Sequence, residues 1–348
     1  FSCSMEVVSV LDKRFPACYS VGKESIFGEK GRILMEKYLE QLVQDCAPYA
    51  QQGKLADYIP ELSKADPNAI GIHIITSDGK HSRAGSDTAR FTIQSIVKPI
   101  LLLLALMDNG IEAVRSKVGV EATGKPFDAI NATEQRLDSE HINPMVNMGA
   151  IAMCTLIHGD SYIEKFERLL ELTRKLAGDP SIGLDGAVYF SEKSHGSSNR
   201  SLAYLLKSYG MLEDNVEDVL DCYFRACSIS VSCENLANIG SVLANQGRIN
   251  ATGEQVFPAH FARYVNAILT TCGMYDGSGE FAIRVGIPAK SGVGGGIMCC
   301  VEDNFGIAVY GPSLDAKGNS VWGLKILEYL SRQLNLHYFS GSKVKEYI

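Results

Sequence analysis

The sequence predicts a mixed α/β fold of the α+β type, in which both ends of the chain build one sheet around a helical insertion. Short runs of alternating or β-branched residues lie at about 65–95 and again at about 283–340. Between them, about 100–280, apolar residues recur at helical spacing. Because strands and helices do not alternate regularly, a mainly antiparallel sheet flanked by helices is favoured over a parallel one.

The first elements are a segment without periodicity, a helix and a hairpin. Residues 1–30 are expected to be a leader of unassigned role, and a helix is predicted over 32–47. Isoleucines at 70, 72 and 74 alternate with smaller or polar residues before the turn residues Ser77-Asp78-Gly79, which indicates a hairpin. Residues 91–93 indicate one more strand.

A long apolar run at 100–107 predicts a buried helix. Pro99 is best tolerated within the first turn, so the helix begins just before it. Ser95 is then expected at the amino terminus of this helix, among free backbone N–H groups and the positive end of the helix dipole. Such a position stabilises developing negative charge.

Helices are predicted through the middle of the chain and strands after it. Asn143-Pro144 is typical of a cap and first turn, and predicts a helix that carries Asn147 in its second turn. Further helices are predicted over 160–178, 199–209, 215–228, 232–246 and 258–272. Strands are predicted at 287–290, 297–301 and 307–310, and a last helix over 321–336.

Composition narrows the class of function. The chain has 348 residues, of which 46% are hydrophobic and 21% charged, so it can bury a sizeable core. Its net charge of −7 offers no basic surface for nucleic acid or an anionic membrane. The longest apolar run is far shorter than a membrane span. We therefore predict a small-molecule substrate, with neither nucleic acid nor membrane as a partner.

Cysteine and histidine spacing bears on redox state and metals. The ten cysteines are irregularly spaced, and the opening residues show no secretory signal, so reduced thiols and a cytoplasmic location are expected. The chain has no C-x-x-C, and its seven histidines show no H-x-x-x-H. No metal site is therefore expected.

Ser95-Ile96-Val97-Lys98 forms an S-x-x-K motif. Positions three apart share one face of a helix, so the lysine amine can reach the serine hydroxyl. A neutral amine there accepts the serine proton and activates the serine as a nucleophile. The pattern alone is weak because four other serines precede a lysine at this spacing, but only Ser95 opens a buried helix after a predicted strand.

Lys290-Ser291-Gly292 is the second motif, at the end of a predicted strand. In active-site serine hydrolases, S-x-x-K on a helix and K-[S/T]-G on an edge strand flank one cleft. A second ammonium group favours the neutral form of Lys98. The glycines that follow let substrate approach the backbone, where the N–H of Val293 can donate to an oxyanion. Alone, the motif equally fits a glycine-rich turn.

Longer stretches resemble the glutaminase family, in its bacterial-type form. They are Q-S-I-V-K-P, N-P-M-V-N-M-G-A-I, Y-F-S-E-K-S-H-G-S-S-N-R, C-G-M-Y-D-G-S-G, P-A-K-S-G-V-G-G-G-I and G-P-S-L-D-A-K-G-N-S. The resemblance covers about residues 55–338. It implies a β-lactamase/transpeptidase-like fold in a single catalytic domain, 31–348, and a homodimer or homotetramer. The implied reaction is hydrolysis of L-glutamine to L-glutamate and ammonia through a serine acyl-enzyme, without a cofactor.

The resemblance also implies roles for individual residues. Ser95 would be the nucleophile and Lys98 its activating partner. Tyr275 would relay protons with Lys98 or protonate the leaving ammonia, so the general base is either Lys98 or Tyr275.

Further residues would bind the substrate. Glu192 and Asn199, which we expect on a Ser/Gly-rich loop, would hold the amino-acid end, since a carboxylate suits an α-ammonium group and an amide suits an α-carboxylate. The other implied contacts are Asn147, Tyr58, Tyr223 and the backbone of Val293.

Two alternatives follow from the short motifs alone. A penicillin-recognising serine hydrolase or esterase fits both motifs, but it should also carry an S-D-N or Y-x-N element, which Ser197–Asn199 and Tyr264–Asn266 match only loosely. A non-catalytic amino-acid-binding protein would be indicated by loss of the serine or the lysine, and both Ser95 and Lys98 are present.

Overall fold

The structure is a computed structural model that describes residues 29–76, 78–123, 142–301 and 305–340. The predicted leader lies almost entirely outside the described residues, as does Ser77 of the predicted hairpin turn. Among the described helices, none combines the length and the apolar character that crossing a membrane requires.

Strands and helices follow the predicted sequence of β-rich ends and a helical middle. The strands are β1 (Gly71–Thr76), β2 (His81–Gly85), β3 (Phe91–Thr92), β4 (Ser230–Val231), β5 (Ala289–Ser291), β6 (Gly296–Val301) and β7 (Phe305–Tyr310). The helices are α1 (Glu29–Cys46), α2 (Lys98–Lys117), α3 (Asn147–Leu156), α4 (Tyr162–Ala177), α5 (Gly186–His195), α6 (Ser197–Ser208), α7 (Val216–Cys227), α8 (Cys233–Ala244), α9 (Ala259–Cys272), α10 (Ser278–Arg284) and α11 (Val321–Leu334). Short 3₁₀ turns lie at Ala47–Gln52, Leu62–Lys64, Gln94–Val97 and Tyr275–Gly277.

Five strands form one antiparallel sheet in the order β2-β1-β7-β6-β5. Ile72 of β1 lies between Ala84 of β2 and Val309 of β7, so strands from the two ends of the chain pair directly. This confirms the antiparallel sheet assembled from both ends. The predicted strand at 91–93 does not join it, because β3 pairs with β4 in a separate two-stranded sheet.

The two faces of the sheet bury different cores. Ile307 and Val309 of β7 pack with Trp322 of α11 and with α1 on one face. Ala308, between them, faces the opposite core, which contains α2 and α8. This alternation is the two-residue period of a strand buried on both sides. Gly306 lets α8 pack on the strand, since a Cβ there would lie 2.0 Å from the carbonyl oxygen of Ala237.

Two local predictions are wrong, for identifiable reasons. The helix expected from Asn143 begins only at Asn147, because the Asn143 side chain accepts a hydrogen bond from the backbone N–H of Met145 (2.9 Å) and closes a turn instead. Asn147 is therefore the first residue of α3 and not part of a second turn. The stretch expected to be a loop around Glu192 is helical: α5 is capped by Asp185, whose side chain accepts from the N–H of Val188.

Candidate active site

Ser95 lies in the 3₁₀ turn that precedes α2, so the predicted position at the start of a buried helix is correct in place but tighter in geometry. β3 leads into this turn, and the N–H of Ile93 donates to the carbonyl of Ile229 beside β4 (2.8 Å). Gln94 then takes a left-handed backbone, with φ of 48°. Non-glycine residues pay for that conformation, and they concentrate at functional sites. The Ser95 side chain is nearly buried.

A chain of hydrogen bonds runs from Ser95 into the helical part. The Nζ of Lys98 donates to the Oγ of Ser95 at 3.0 Å and to the Oδ1 of Asn147 at 2.7 Å. The Nδ2 of Asn147 in turn donates to the Oδ1 of Asn199 at 2.9 Å. Lys98 is fully buried, so its contacts are made away from bulk water, where electrostatic interactions are strong. The structure thus brings four of the predicted site residues into one continuous network.

Tyr275 makes a side-chain hydrogen bond with Ser95. It opens a 3₁₀ turn with φ of 55°, the second left-handed non-glycine residue at this site. Burial raises the pKa of its phenol, while hydrogen bonds from the Ser95 hydroxyl and from the backbone of Val293 lower it. A hydrogen bond that lowers a phenol pKa is donated to the phenol oxygen, so the Val293 N–H points into the site. Tyr275 and Val293 pack with Leu314 in a small apolar cluster.

The K-S-G motif occupies the end of β5, where it was predicted. A Cβ on Gly292 would lie 2.9 Å from the carbonyl oxygen of Ile93, so only glycine lets this strand end approach the Ser95 turn. Lys290 does not point at Ser95. Its buried Nζ donates to the carbonyls of Gly273 (3.0 Å) and Ser291 (2.6 Å) and sits 4.3 Å from the ring centroid of Tyr275.

The electrostatics of Lys290 follow from that location. Burial first, and then the neighbouring charge of Lys98, lower the pKa of Lys290 well below its ordinary value. Ser291 is fully buried, and its N–H donates to the carbonyl of Gly273 at 3.1 Å. The motif therefore fixes the end of β5 and places Lys290 against the ring of Tyr275.

Glu192 and Tyr58 form a second hydrogen-bonded group, which meets the Ser95 turn at Gln94. The hydroxyl of Tyr58 donates to the Oε1 of Glu192 at 2.7 Å and also contacts the Oε1 of Gln94 at 2.9 Å. Burial raises the pKa of Glu192, and hydrogen bonds from Tyr58 and Gln94 only partly offset that effect. A buried carboxylate held by these neutral groups is the electrostatic complement of an ammonium ion.

Glu192 and Asn199 lie on two successive helices and not on the predicted loop. α5 ends at His195 and α6 begins at Ser197, with Gly196 between them. A Cβ on Gly196 would lie 2.4 Å from the ring of Phe224, so the corner packs tightly against α7. Two short rigid elements therefore aim both side chains at the cleft.

Tyr223 and the Y-x-N match Tyr264–Asn266 lie on the helices α7 and α9. Tyr223 is buried on α7 within electrostatic reach of Glu192, and its pKa is raised by burial and by the neighbouring Cys227 thiol. Asn266 lies on α9, where its Nδ2 donates to the carbonyl of Leu243 at 3.2 Å. Of the two loose matches, Ser197–Asn199 is the one that reaches the Lys98 network.

Gln94 is a site residue that the sequence analysis missed. It is buried, precedes Ser95, and touches Tyr58 and Thr92 through its side chain. Its place beside the serine in Q-S-I-V-K-P was the available signal. The signal that marks it strongly, the left-handed backbone, becomes visible only in the fold.

Comparison with known proteins identifies the family. The glutaminase family model matches residues 53–339. A glutaminase of Clostridium tetani is 51% identical over 306 residues, covering 88% of this chain and all of that protein. Glutaminase 2 of Clostridium perfringens is 50% identical over 305 residues, with the same coverage.

A solved structure extends the match to three dimensions. The probable glutaminase from Bacillus subtilis, complexed with 6-diazo-5-oxo-L-norleucine, is 36% identical with a TM-score of 0.79, covering 87% of this chain and 96% of its own. The expected β-lactamase-like fold is thereby confirmed. The family match spans residues 53–339 and therefore includes the site residues described above. From its sequence and its fold, the chain belongs to the glutaminase family.

Proposed function

We propose that this member of the glutaminase family is an amidohydrolase that converts L-glutamine to L-glutamate and ammonia through an acyl-enzyme formed on Ser95. The observation that carries the proposal is the unbroken hydrogen-bond chain from Ser95 through Lys98 and Asn147 to Asn199. It links a nucleophile to an amide group that suits the substrate's α-carboxylate.

In the first half of the reaction, the Ser95 Oγ attacks the side-chain amide carbon. Its proton passes to Lys98, whose Nζ lies 3.0 Å away. The carbonyl π electrons move to oxygen, and the oxyanion is bound by the N–H groups of Ser95 and Val293. Lys98 is assigned as the base because the pKa of Tyr275 is raised, which disfavours the phenolate.

Collapse of the oxyanion breaks the carbon–nitrogen bond. Tyr275 donates its phenol proton to the departing nitrogen, which leaves as ammonia, and Lys98 returns a proton to Tyr275. Water then attacks the γ-glutamyl ester and gives one of its protons, through Lys98 and Tyr275, to the Ser95 oxygen. Glutamate leaves as the Ser95 hydroxyl is restored. Lys290 supports Tyr275 from behind and takes no part in the proton transfers.

Substrate recognition uses the two polar ends of the cleft. The Glu192 carboxylate accepts hydrogen bonds from the α-ammonium group. Its partners in the protein, Tyr58 and Gln94, are neutral, so the substrate supplies the positive charge that balances this buried carboxylate. Asn199 donates its Nδ2 to the α-carboxylate, since its Oδ1 is occupied by Asn147. Tyr223 supports Glu192 from beneath.

Three wider aspects belong to the same proposal. Residues 31–348 act as one catalytic domain, because the sheet supplies Val293 and the helical part supplies Glu192 and Asn199. The active form is a homodimer or homotetramer, as the family resemblance implies. The enzyme acts in the cytoplasm, a location that suits the eight cysteines described as free and buried.

The first experiment measures ammonia release from L-glutamine by the purified chain and by Ser95→Ala, with asparagine and a chromogenic β-lactam as comparators. We expect glutamine-selective turnover that falls by about 10⁴-fold or more in the variant. Intact mass spectrometry after acid quenching should show a transient glutamyl adduct on the wild-type chain alone.

Two results would overturn the proposal. Turnover by Ser95→Ala at the wild-type rate would exclude the serine acyl-enzyme while leaving glutamine as substrate. Cleavage of the β-lactam without ammonia release from glutamine would keep the nucleophile and reject the substrate.

A further inference from the structure

A second cluster of chemically active side chains lies at the sheet edge formed by β2, outside the cleft. His73 on β1 and His81 on β2 bring the His73 Nε2 and the His81 Nδ1 to 2.9 Å. Glu234, in the first turn of α8, places its Oε1 4.0 Å from the same His81 nitrogen. One ligand atom from each of the three residues lies within 4.8 Å of the others.

From this cluster we propose that His73, His81 and Glu234 bind a divalent transition-metal ion of the Zn²⁺ class. Two imidazole nitrogens, one carboxylate oxygen and one water complete a tetrahedral shell that Zn²⁺ adopts readily. The metal takes the place of the proton shared between the imidazoles. Their nitrogens then move from 2.9 Å to about 3.3 Å, the separation set by Zn–N bonds of about 2.0–2.1 Å in tetrahedral geometry.

The orientation of His73 suits a metal ligand. Its Nδ1 lies 3.0 Å from the Oδ2 of the buried Asp87, so the proton sits on Nδ1 and the lone pair of Nε2 points at His81. A carboxylate that fixes the far nitrogen of a ligand histidine is the usual outer partner of a protein-bound zinc ion.

The solvent exposure and the charge of this cluster suit reversible binding of a metal ion. His73 is fully buried, whereas the His81 and Glu234 side chains are 42% and 43% exposed, so the ion enters from solvent. The carboxylates of Glu234 and Asp87 balance a divalent charge. The bound ion ties the edge hairpin to the start of α8, a link between residues more than 150 positions apart in the sequence.

The sequence alone predicts no metal site, because the histidines lack the spacing of a helical zinc motif. A hairpin follows another rule. Ile75 pairs with His81, so His73 and His81 lie diagonally on the same face of two adjacent strands. The eight-residue separation therefore encodes proximity only when the register is known.

The test uses the full chain without a histidine tag, freed of metal by chelation and then titrated with Zn²⁺ in a calorimeter. We expect one Zn²⁺ per chain, and a melting temperature about 3–4 °C higher at a free Zn²⁺ concentration 100 times the dissociation constant. His81→Ala and Glu234→Gln should each weaken binding at least tenfold. His260→Ala, an exposed histidine on α9, and Ser95→Ala should bind as the wild type does.

Two results of these titrations would contradict the proposed metal site. Absence of saturable one-to-one binding by the wild-type chain would overturn the inference, and so would unchanged affinity in His81→Ala. Because His81 and Glu234 are half-exposed, these variants test the site without disturbing the core. Binding by Ser95→Ala keeps the result independent of the proposed catalytic role.

Discussion

Two buried lysines lie in neighbouring regions of the molecule and differ in their partners. Lys98, at the start of α2, donates to two side chains, Ser95 and Asn147. Lys290, in β5, donates to two backbone carbonyls and lies against the ring of Tyr275. Both are fully buried. In the proposed mechanism this difference sets their roles: the Ser95 hydroxyl can exchange a proton with Lys98, whereas backbone carbonyls only fix the position of Lys290.

Replacing Lys98 by methionine should have the largest effect on this comparison. We expect kcat to fall by about 10³-fold with KM little changed, since a general base contributes about 10²–10⁴-fold to the rate. The measurement is steady-state ammonia release. Lys98→Arg should not restore the rate, because arginine stays protonated. Recovery of activity in the arginine variant would show that Lys98 supplies charge and not proton transfer.

Glu192 extends the comparison to a buried charge of opposite sign. Glu192→Gln should raise KM for glutamine about 100-fold, because the α-ammonium group loses its charged partner. The same change should raise the melting temperature at neutral pH by about 2 °C. Burial raises the folded-state pKa of Glu192 above its ordinary 4.5, so ionisation destabilises the fold as pH rises above 4.5.

The pH dependence of that gain checks its cause. Below pH 4.5 the carboxyl group is protonated in both the folded and the unfolded state, so the stability difference between wild type and variant should vanish. Glu167→Gln, an exposed glutamate on α4, is the matched control and should change neither KM nor stability. An equal stability gain at all pH values would attribute the effect to something other than the buried charge.

Lys290→Met should have the smallest effect on catalysis. Two carbonyls lose their donor and Tyr275 loses its support, so we expect kcat to fall by about tenfold with KM unchanged. A double-mutant cycle with Tyr275→Phe tests the route: if Lys290 acts through Tyr275, the double variant should match Tyr275→Phe alone. Lys165→Met is the control, since its Nζ also lies 4.3 Å from a tyrosine ring, that of Tyr162. Additive losses in the cycle would assign Lys290 an independent role.

The helices and strands that follow from local periodicity could be predicted from the sequence. The pairing of a strand with a distant strand could not. The helices α7, α8 and α9 and the strand β6 begin and end within about two residues of the positions that spacing and turn residues indicate. β3 carries the same strand pattern, but its partner β4 lies some 140 residues away and sends it to a separate sheet.

The site shows the same division. The spacing of Ser95 and Lys98 gave their contact, because three residues of a helical turn fix it. The corner at Gly196 has the composition of a loop, since Ser and Gly dominate it. The residue that caps the helix, Asp185, lies eleven residues earlier, outside this Ser/Gly-rich stretch. The local sequence does not indicate the left-handed backbone of Gln94, because this backbone follows the pairing of β3 with β4 and the hydrogen bond from the Ile93 N–H to the Ile229 carbonyl.

Asn147 fixes which atoms donate and which accept in the polar network. This direction limits the substitutions that the site can accept in evolution. The Asn147 oxygen accepts a hydrogen bond from Lys98 and its nitrogen donates one to Asn199, so the Asn199 nitrogen is left for the ligand. Aspartate at 147 would accept at both ends and turn the amide of Asn199 around, presenting an oxygen to the ligand. The direction of hydrogen bonding set at Lys98 thus determines, through Asn147, that Asn199 presents a donor, and a change at one asparagine requires a matching change at the other.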